Sequence, residues 1–190
     1  MKLKTTSLVL ALSLFVAVAN AQTNAPEGYT KATVTLANGT LQPGFIKDNI
    51  KKSASVIFTD ESGSNKKVYE GSDINGITID AISFICINGD FFKTICTGKL
   101  CFLQKASNAS GKASYNGTEA VFNNGTEGKI GDYFVYADKK LKLINKKTVE
   151  SFISNDLTGC STAIEKAKTI NGDISKLQEA VDIYNSYSVK

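Results

Sequence analysis

From Thr30 to Leu103 the apolar residues recur at every second position in short runs, separated by clusters of Asn, Asp, Gly and Ser. That period is the signature of half-buried strands joined by tight turns. Ala32, Val34 and Leu36 alternate; Asn38-Gly39 turns the chain, and Phe45-Ile46 resumes the pattern, with Pro43 placing that strand at an edge or a bulge. Ser55 to Thr59 and Lys67 to Glu70 read as a second hairpin across the polar Asp60 to Asn65 stretch. Ile77 and Ile79 open a further run that Ile82, Phe84 and Cys86 continue in a shifted register, which predicts a bulge near Asp80. Asn88-Gly89 then turns the chain into Phe91 to Thr97. Residues 105–132 are rich in Asn, Gly, Ser and Ala. They carry two similar units, Asn116-Gly117-Thr118-Glu119 and Asn124-Gly125-Thr126-Glu127, read as two turns around the short strand Ala120-Val121-Phe122. Tyr133 to Ala137 and Leu141 to Ile144 predict a last hairpin.

After Asn145 the period changes to 3.6. Val149, Phe152 and Ile153 share one helical face, and Thr158-Gly159 ends it. Thr162 to Glu165 has the spacing of a capping box for a second helix. Asp173 is placed to cap a third, with Ile174, Leu177, Val181 and Tyr184 as its apolar stripe. The fold class expected is α+β: an antiparallel β-meander sheet or partly closed barrel, followed by two to three C-terminal helices in 146–187 that pack on the sheet.

The first 21 residues follow a different pattern. Met1 to Lys4 is basic, Ser7 to Ala19 is apolar, and Ala19-Asn20-Ala21 puts small residues at the positions a signal peptidase reads. Residues 1–21 are expected to be a secretory signal peptide cleaved between Ala21 and Gln22. A mobile lead would cover 22–29, and a single β-rich domain 30–190. With Gln22 and not Cys after the cut, lipid anchoring is not expected. No later apolar stretch reaches the roughly 20 residues of a spanning helix, so no transmembrane segment is expected in the mature chain. The periplasm is the expected compartment, with release outside the cell as the alternative.

Composition removes whole classes of chemistry. The 190-residue chain has no His and no Trp, and all 22 of its basic residues are Lys. Ser-His-Asp and Cys-His catalysis are excluded, and the commonest nitrogen ligand for zinc is missing. Without the signal, 20 lysines face 18 acids, a balance of +2. That is too small for an electrostatic nucleic-acid binder, and no Arg is present to clamp phosphate. The pairs Lys51-Lys52, Lys66-Lys67, Lys139-Lys140 and Lys146-Lys147 are spread along the chain and read as solvated turns and strand edges.

Four cysteines remain in an exported chain, which suggests disulfides, with three connectivities possible. Around Gly98-Lys99 a two-residue turn would make Thr97 and Leu100 the closing pair and set Cys96 opposite Cys101, within bridging distance. Elimination then leaves Cys86 with Cys160. The alternative is that these residues are buried small hydrophobes without bridges. Cys-x4-Cys without a partner pair or His does not make a metal site, and nothing in the sequence asks for a cofactor.

Carboxylates are the only catalysts left. A glycosidase needs two facing each other, and Asp73, Asp80 and Asp90, near strand ends in mid-sheet, are the candidates. Asp at strand ends is also a common turn former. The reading favoured is a non-enzymatic exported module of the bacterial cell envelope, binding or structural, that meets an envelope protein or a small ligand. The alternative is a carboxylate-dependent glycan hydrolase.

Several short segments carry a resemblance. The chain resembles small exported proteins of Bacteroidota of unassigned function in its Ala21-Gln22 junction, in Asn38-Gly39-Thr40 running to Gly44-Phe45-Ile46, and in Asp73-Ile74-Asn75-Gly76-Ile77. Phe91-Phe92-Lys93, Cys160 before a helix, and Tyr184-Asn185 near the end continue it. The pairing of Cys96 with Cys101 departs from that group, which places an apolar or aromatic residue near Cys101. The resemblance implies fold and compartment and carries no active site.

Overall fold

The computed structural model of the protein describes residues 25–111, 113–116, 119–122 and 124–187. The expected signal peptide, its expected Ala21/Gln22 cleavage site and the first residues of the lead lie outside them. Twelve strands form: β1 (Thr30–Leu36), β2 (Leu41–Asn49), β3 (Ser55–Thr59), β4 (Lys66–Glu70), β5 (Ile74–Ile79), β6 (Ile82–Ile87), β7 (Asp90–Cys96), β8 (Cys101–Lys105), β9 (Ala113–Asn116), β10 (Glu119–Phe122), β11 (Tyr133–Ala137) and β12 (Lys140–Ile144). The helices are α1 (Ile50–Ser53), α2 (Val149–Asn155), α3 (Ser161–Lys168) and α4 (Leu177–Tyr187), the last entered through a 3₁₀ turn at Ile174–Lys176.

Ten strands make one antiparallel sheet in the order β12-β11-β8-β7-β6-β5-β1-β2-β3-β4, and β9 and β10 form a separate hairpin. The sheet does not close on itself. It departs from a simple meander once: β5 returns to lie beside β1. Each strand is antiparallel to its neighbours, so β4 and β5 run in the same direction. Only residues 71–73 join them, a reach of about 14 Å. The link is possible because this half of the sheet coils, bringing the end of β4 over the start of β5. Gly71 there bridges to Gly89 across the coil. A Cβ on Gly71 would stand 2.2 Å from the Gly89 carbonyl oxygen, so only glycine fits this approach.

The alternation of side chains gives the sheet two faces. In the coiled half, the inner face holds Ala32, Val34, Ile46, Val56, Phe58, Tyr69, Ile77 and Phe91. In the other half the same face packs Phe102, Val135 and Ile144 against Phe152, Leu157, Ala163, Leu177 and Val181 of the helical segment. Each fully buried Leu or Phe here is worth about 1.5–3 kcal/mol of transfer free energy, so the helices are integral to the domain. On the reverse face Phe92, Leu103 and Phe134 form a third cluster. Among the described residues no helix is long and apolar enough to cross a membrane.

Four local expectations are revised. Asp80 is not in a bulge: with Ala81 it forms the two-residue turn between β5 and β6, with φ at +52°, a conformation Asp tolerates. Pro43 sits in an interior strand, but the β2–β3 ladder begins only at Phe45, so Pro43 has β1 on one side and no strand on the other. Thr162 does not cap α3; Cys160 holds the N-cap position without a side-chain bond. Asp173 does cap, accepting from the Ser175 N–H, but what it caps is the 3₁₀ turn before α4.

A fifth revision concerns the cysteines, all four of which are free. The Asn185 amide on α4 accepts from the Leu100 N–H at 2.9 Å and donates to the Leu100 and Thr97 carbonyls at 2.9 and 3.3 Å. These are the groups that would have closed a tight turn at Gly98-Lys99. The loop is therefore longer, and Cys96 pairs with Phe102 while Cys101 pairs with Tyr136. Cys96 packs toward the helical core and Cys101 toward the third cluster, on opposite faces of the sheet. Cys86 and Cys160 belong to separate cores. Burial, with Asp182 nearby, pushes the Cys96 thiol up to about 12. Peptide mapping of unreduced protein is expected to find neither the Cys96–Cys101 nor the Cys86–Cys160 cross-link, and a thiol titration after denaturation should count four free groups. A recovered disulfide-linked 96–101 peptide would contradict this register.

Candidate functional site

Where the coil meets the rest of the sheet, three chain segments surround a cleft of about 660 Å³. The β4–β5 link and the start of β5 supply Gly71, Ser72, Ile74 and Asn75. The β6–β7 corner supplies Cys86, Asn88 and Gly89. The segment after β10 supplies Phe122, Asn124 and Gly125. The volume falls within the roughly 300–1,000 Å³ typical of small-molecule sites. Asn88 and Gly89 both have positive φ, +49° and +81°, between the paired Ile87 and Asp90. This is the two-residue hairpin turn that the Asn-Gly dipeptide favours. It presents the Asn88 side chain at the rim, where the residue is exposed.

Beside the cleft lies a buried polar hub. Asp90 is fully buried and ion-paired at 3.1 Å with Lys105, whose side chain is equally inaccessible. The Asp90 carboxylate also accepts from the Ala109 N–H at 2.6 Å, the Thr126 N–H at 2.8 Å, the Thr126 hydroxyl at 2.7 Å and the Ser107 hydroxyl at 3.2 Å. The Lys105 ammonium donates to the carbonyls of Thr126, Glu127 and Gly128. Ser107 accepts from the Phe91 N–H at 2.8 Å. Two charges buried in this way are tolerable because their hydrogen-bonding capacity is used. The hub fastens both ends of the long polar connection, near 107–109 and 126–128, to the sheet. Thr126 directly follows the cleft residues Asn124 and Gly125, so the hub fixes that wall.

The three carboxylates singled out from the sequence have separate partners and tasks. Asp73 is exposed and closes the turn after β4, its carboxylate accepting from the Glu70 N–H at 2.8 Å. Asp80 lies at the other end of β5, about 20 Å away for six residues of strand. Asp90 is occupied by the contacts just given. None of the three lines the cleft, and no other carboxylate among the described residues does. Cys86 does line it, but burial, reinforced by the Asp90 charge, pushes its thiol up to about 12, so it is a neutral wall and not a thiolate nucleophile at neutral pH. Among the described residues no group of three or more His, Cys, Asp and Glu side chains is placed to hold a metal.

Asn75, Asn88, Phe122 and Asn124 were not marked as functional by the sequence pattern, which reads Asn as turn-forming. One signal for the hub was present: Lys105 continues the alternation of Cys101 and Leu103, which puts a charge on an apolar face. A second cleft, of about 440 Å³, runs between β12 and α2, where Lys142 and Asp156 pair with each other at 2.5 Å. No protein-family model, curated protein or solved structure matches the chain.

Proposed function

We propose that this protein is a non-enzymatic binding module of the bacterial cell envelope, exported to the periplasm, and that the cleft between the β4–β5 link, the Asn88-Gly89 corner and the segment after β10 is where it takes a small ligand. The observation that carries the reading is the cleft beside the Asp90–Lys105 hub: a fixed wall, a volume of ligand size, and no carboxylate among the described residues of the lining. A hydrolase would need two carboxyls facing one bond, and Asp73, Asp80 and Asp90 point to separate tasks. The basic start, the apolar run and Ala19-Asn20-Ala21 support export, and release outside the cell is the alternative location.

The test is retention of small molecules from envelope extract by immobilised mature protein, read by mass spectrometry, beside a Ser72→Trp variant. Ser72 is exposed at the cleft, so the variant fills the site without disturbing the core. A compound retained by the wild type is expected to fall at least tenfold in the variant. Equal retention by both would remove the cleft from consideration.

A further inference from the structure

We infer that the ligand of this cleft is a short neutral oligosaccharide, an inference that rests on the cleft being the binding site. Three asparagines, Asn75, Asn88 and Asn124, line it from three different segments, Asn75 also donating from its carboxamide to the Ala37 carbonyl at 3.2 Å. Each carboxamide offers donors and acceptors side by side, the pairing that neighbouring sugar hydroxyls require, since each hydroxyl both donates and accepts. Among the described residues no lysine or carboxylate lines the cleft, in a chain where more than a fifth of residues are charged. An acidic sugar or a phosphorylated ligand would have no counter-charge there. A purely apolar ligand would strip water from the carboxamides without replacing its hydrogen bonds, at a cost of about 1–3 kcal/mol for each group left unpaired.

Phe122 supplies the complementary half. It is 64 % exposed at the edge of the cleft, while every other described phenylalanine is buried except the half-buried Phe84. A flat apolar ring beside a set of carboxamides matches a pyranose, whose faces carry C–H groups and whose rim carries hydroxyls. The ring covers the face and the amides read the rim.

The experiment is a ¹H–¹⁵N titration of the mature chain, following the side-chain NH₂ signals of Asn75, Asn88 and Asn124. The probes are maltotriose, cellotriose, mannotriose, xylotriose and chitotriose, and, in a separate arm, the small-molecule fraction of envelope extract. Saturable shifts of these three signals with at least one trisaccharide are expected. Phe122→Ala should weaken that binding about tenfold, with the backbone spectrum otherwise preserved. Asn88→Gly, which keeps the positive φ of the turn and deletes the carboxamide, should weaken it as well. If no trisaccharide moves the signals but the extract fraction does, the cleft binds another chemistry and the saccharide inference is overturned. If neither arm moves them, the cleft itself is overturned as a site. Trisaccharide binding that leaves the three amides unmoved, or that both variants leave unchanged, also overturns the inference.

Discussion

Asp90→Ala is expected to lower the stability of the domain by about 3–5 kcal/mol, the usual cost of leaving the other member of a buried ion pair without its partner. For a chain of this size that is a fall in melting temperature of roughly 6–20 °C, read by thermal or urea unfolding of residues 22–190. The large value follows from what Asp90 holds. Its two oxygens collect the Lys105 ammonium, two backbone N–H groups and two hydroxyls, and alanine leaves all of them facing a void. The double variant Asp90→Leu, Lys105→Met removes both charges, yet the Ala109 and Thr126 N–H groups still lose their acceptor, so only part of the loss should return. Amide exchange gives a second reading: protection should fall first at Ala109 and Thr126, which lie where the polar connection is fastened. A variant within about 1 kcal/mol of wild type, below the ordinary range for an orphaned buried charge, would show that the hub is not what holds the cleft wall.

The second large effect is expected at Asn185. Its side chain joins α4 to the β7–β8 loop through three hydrogen bonds and is buried beside Leu100 and Tyr184. Asn185→Leu keeps the approximate volume and deletes every bond. The buried Leu100 N–H then has no acceptor, and the total cost should be about 3 kcal/mol. The loop is fitted to this residue: a Cβ added at Gly98 would stand 2.4 Å from the Asn185 side-chain carbon. Because Asn185 and Asp90 share no partner, their losses should add within about 0.5 kcal/mol in a double variant. An Asn185→Leu protein that melts like wild type, with the 96–101 loop unchanged in amide exchange, would overturn this account.

The two residues also show where the sequence was legible. Strand runs, the Asn88-Gly89 corner and the apolar stripe of α4 are written in neighbouring residues, and each appears where the periodicity puts it. The loop at 97–100 could not be read in that way. Its backbone groups bond to a side chain 85 residues further along, and with that partner out of view the local pattern of Gly98-Lys99 favours a tight turn. The disulfide expected between Cys96 and Cys101 failed with the turn it depended on. The sheet was legible as strands but not in order, because the return of β5 to β1 is a long-range pairing that leaves no trace in alternation. The cleft was the least legible part. It is assembled from three separate turns, and Asn and Gly, which line it equally often, are also the residues that make turns.

The place of β1 in the sheet bears on how the chain reaches this structure. β1 is the first strand in sequence but an interior one in space, with β2 on one side and β5 on the other. As the chain emerges N-terminus first, β1 to β4 can pair in succession. Until β5 follows, β1 is left as an open edge with Val34 and Ala32 on its inner face, the kind of strand that recruits a second chain. The three-residue link after β4 limits that interval, since it delivers β5 to the coil almost as soon as β4 is paired. A longer insertion at 71–73 would lengthen the time during which β1 is unprotected, and the yield of monomer on refolding would register it before the final stability did.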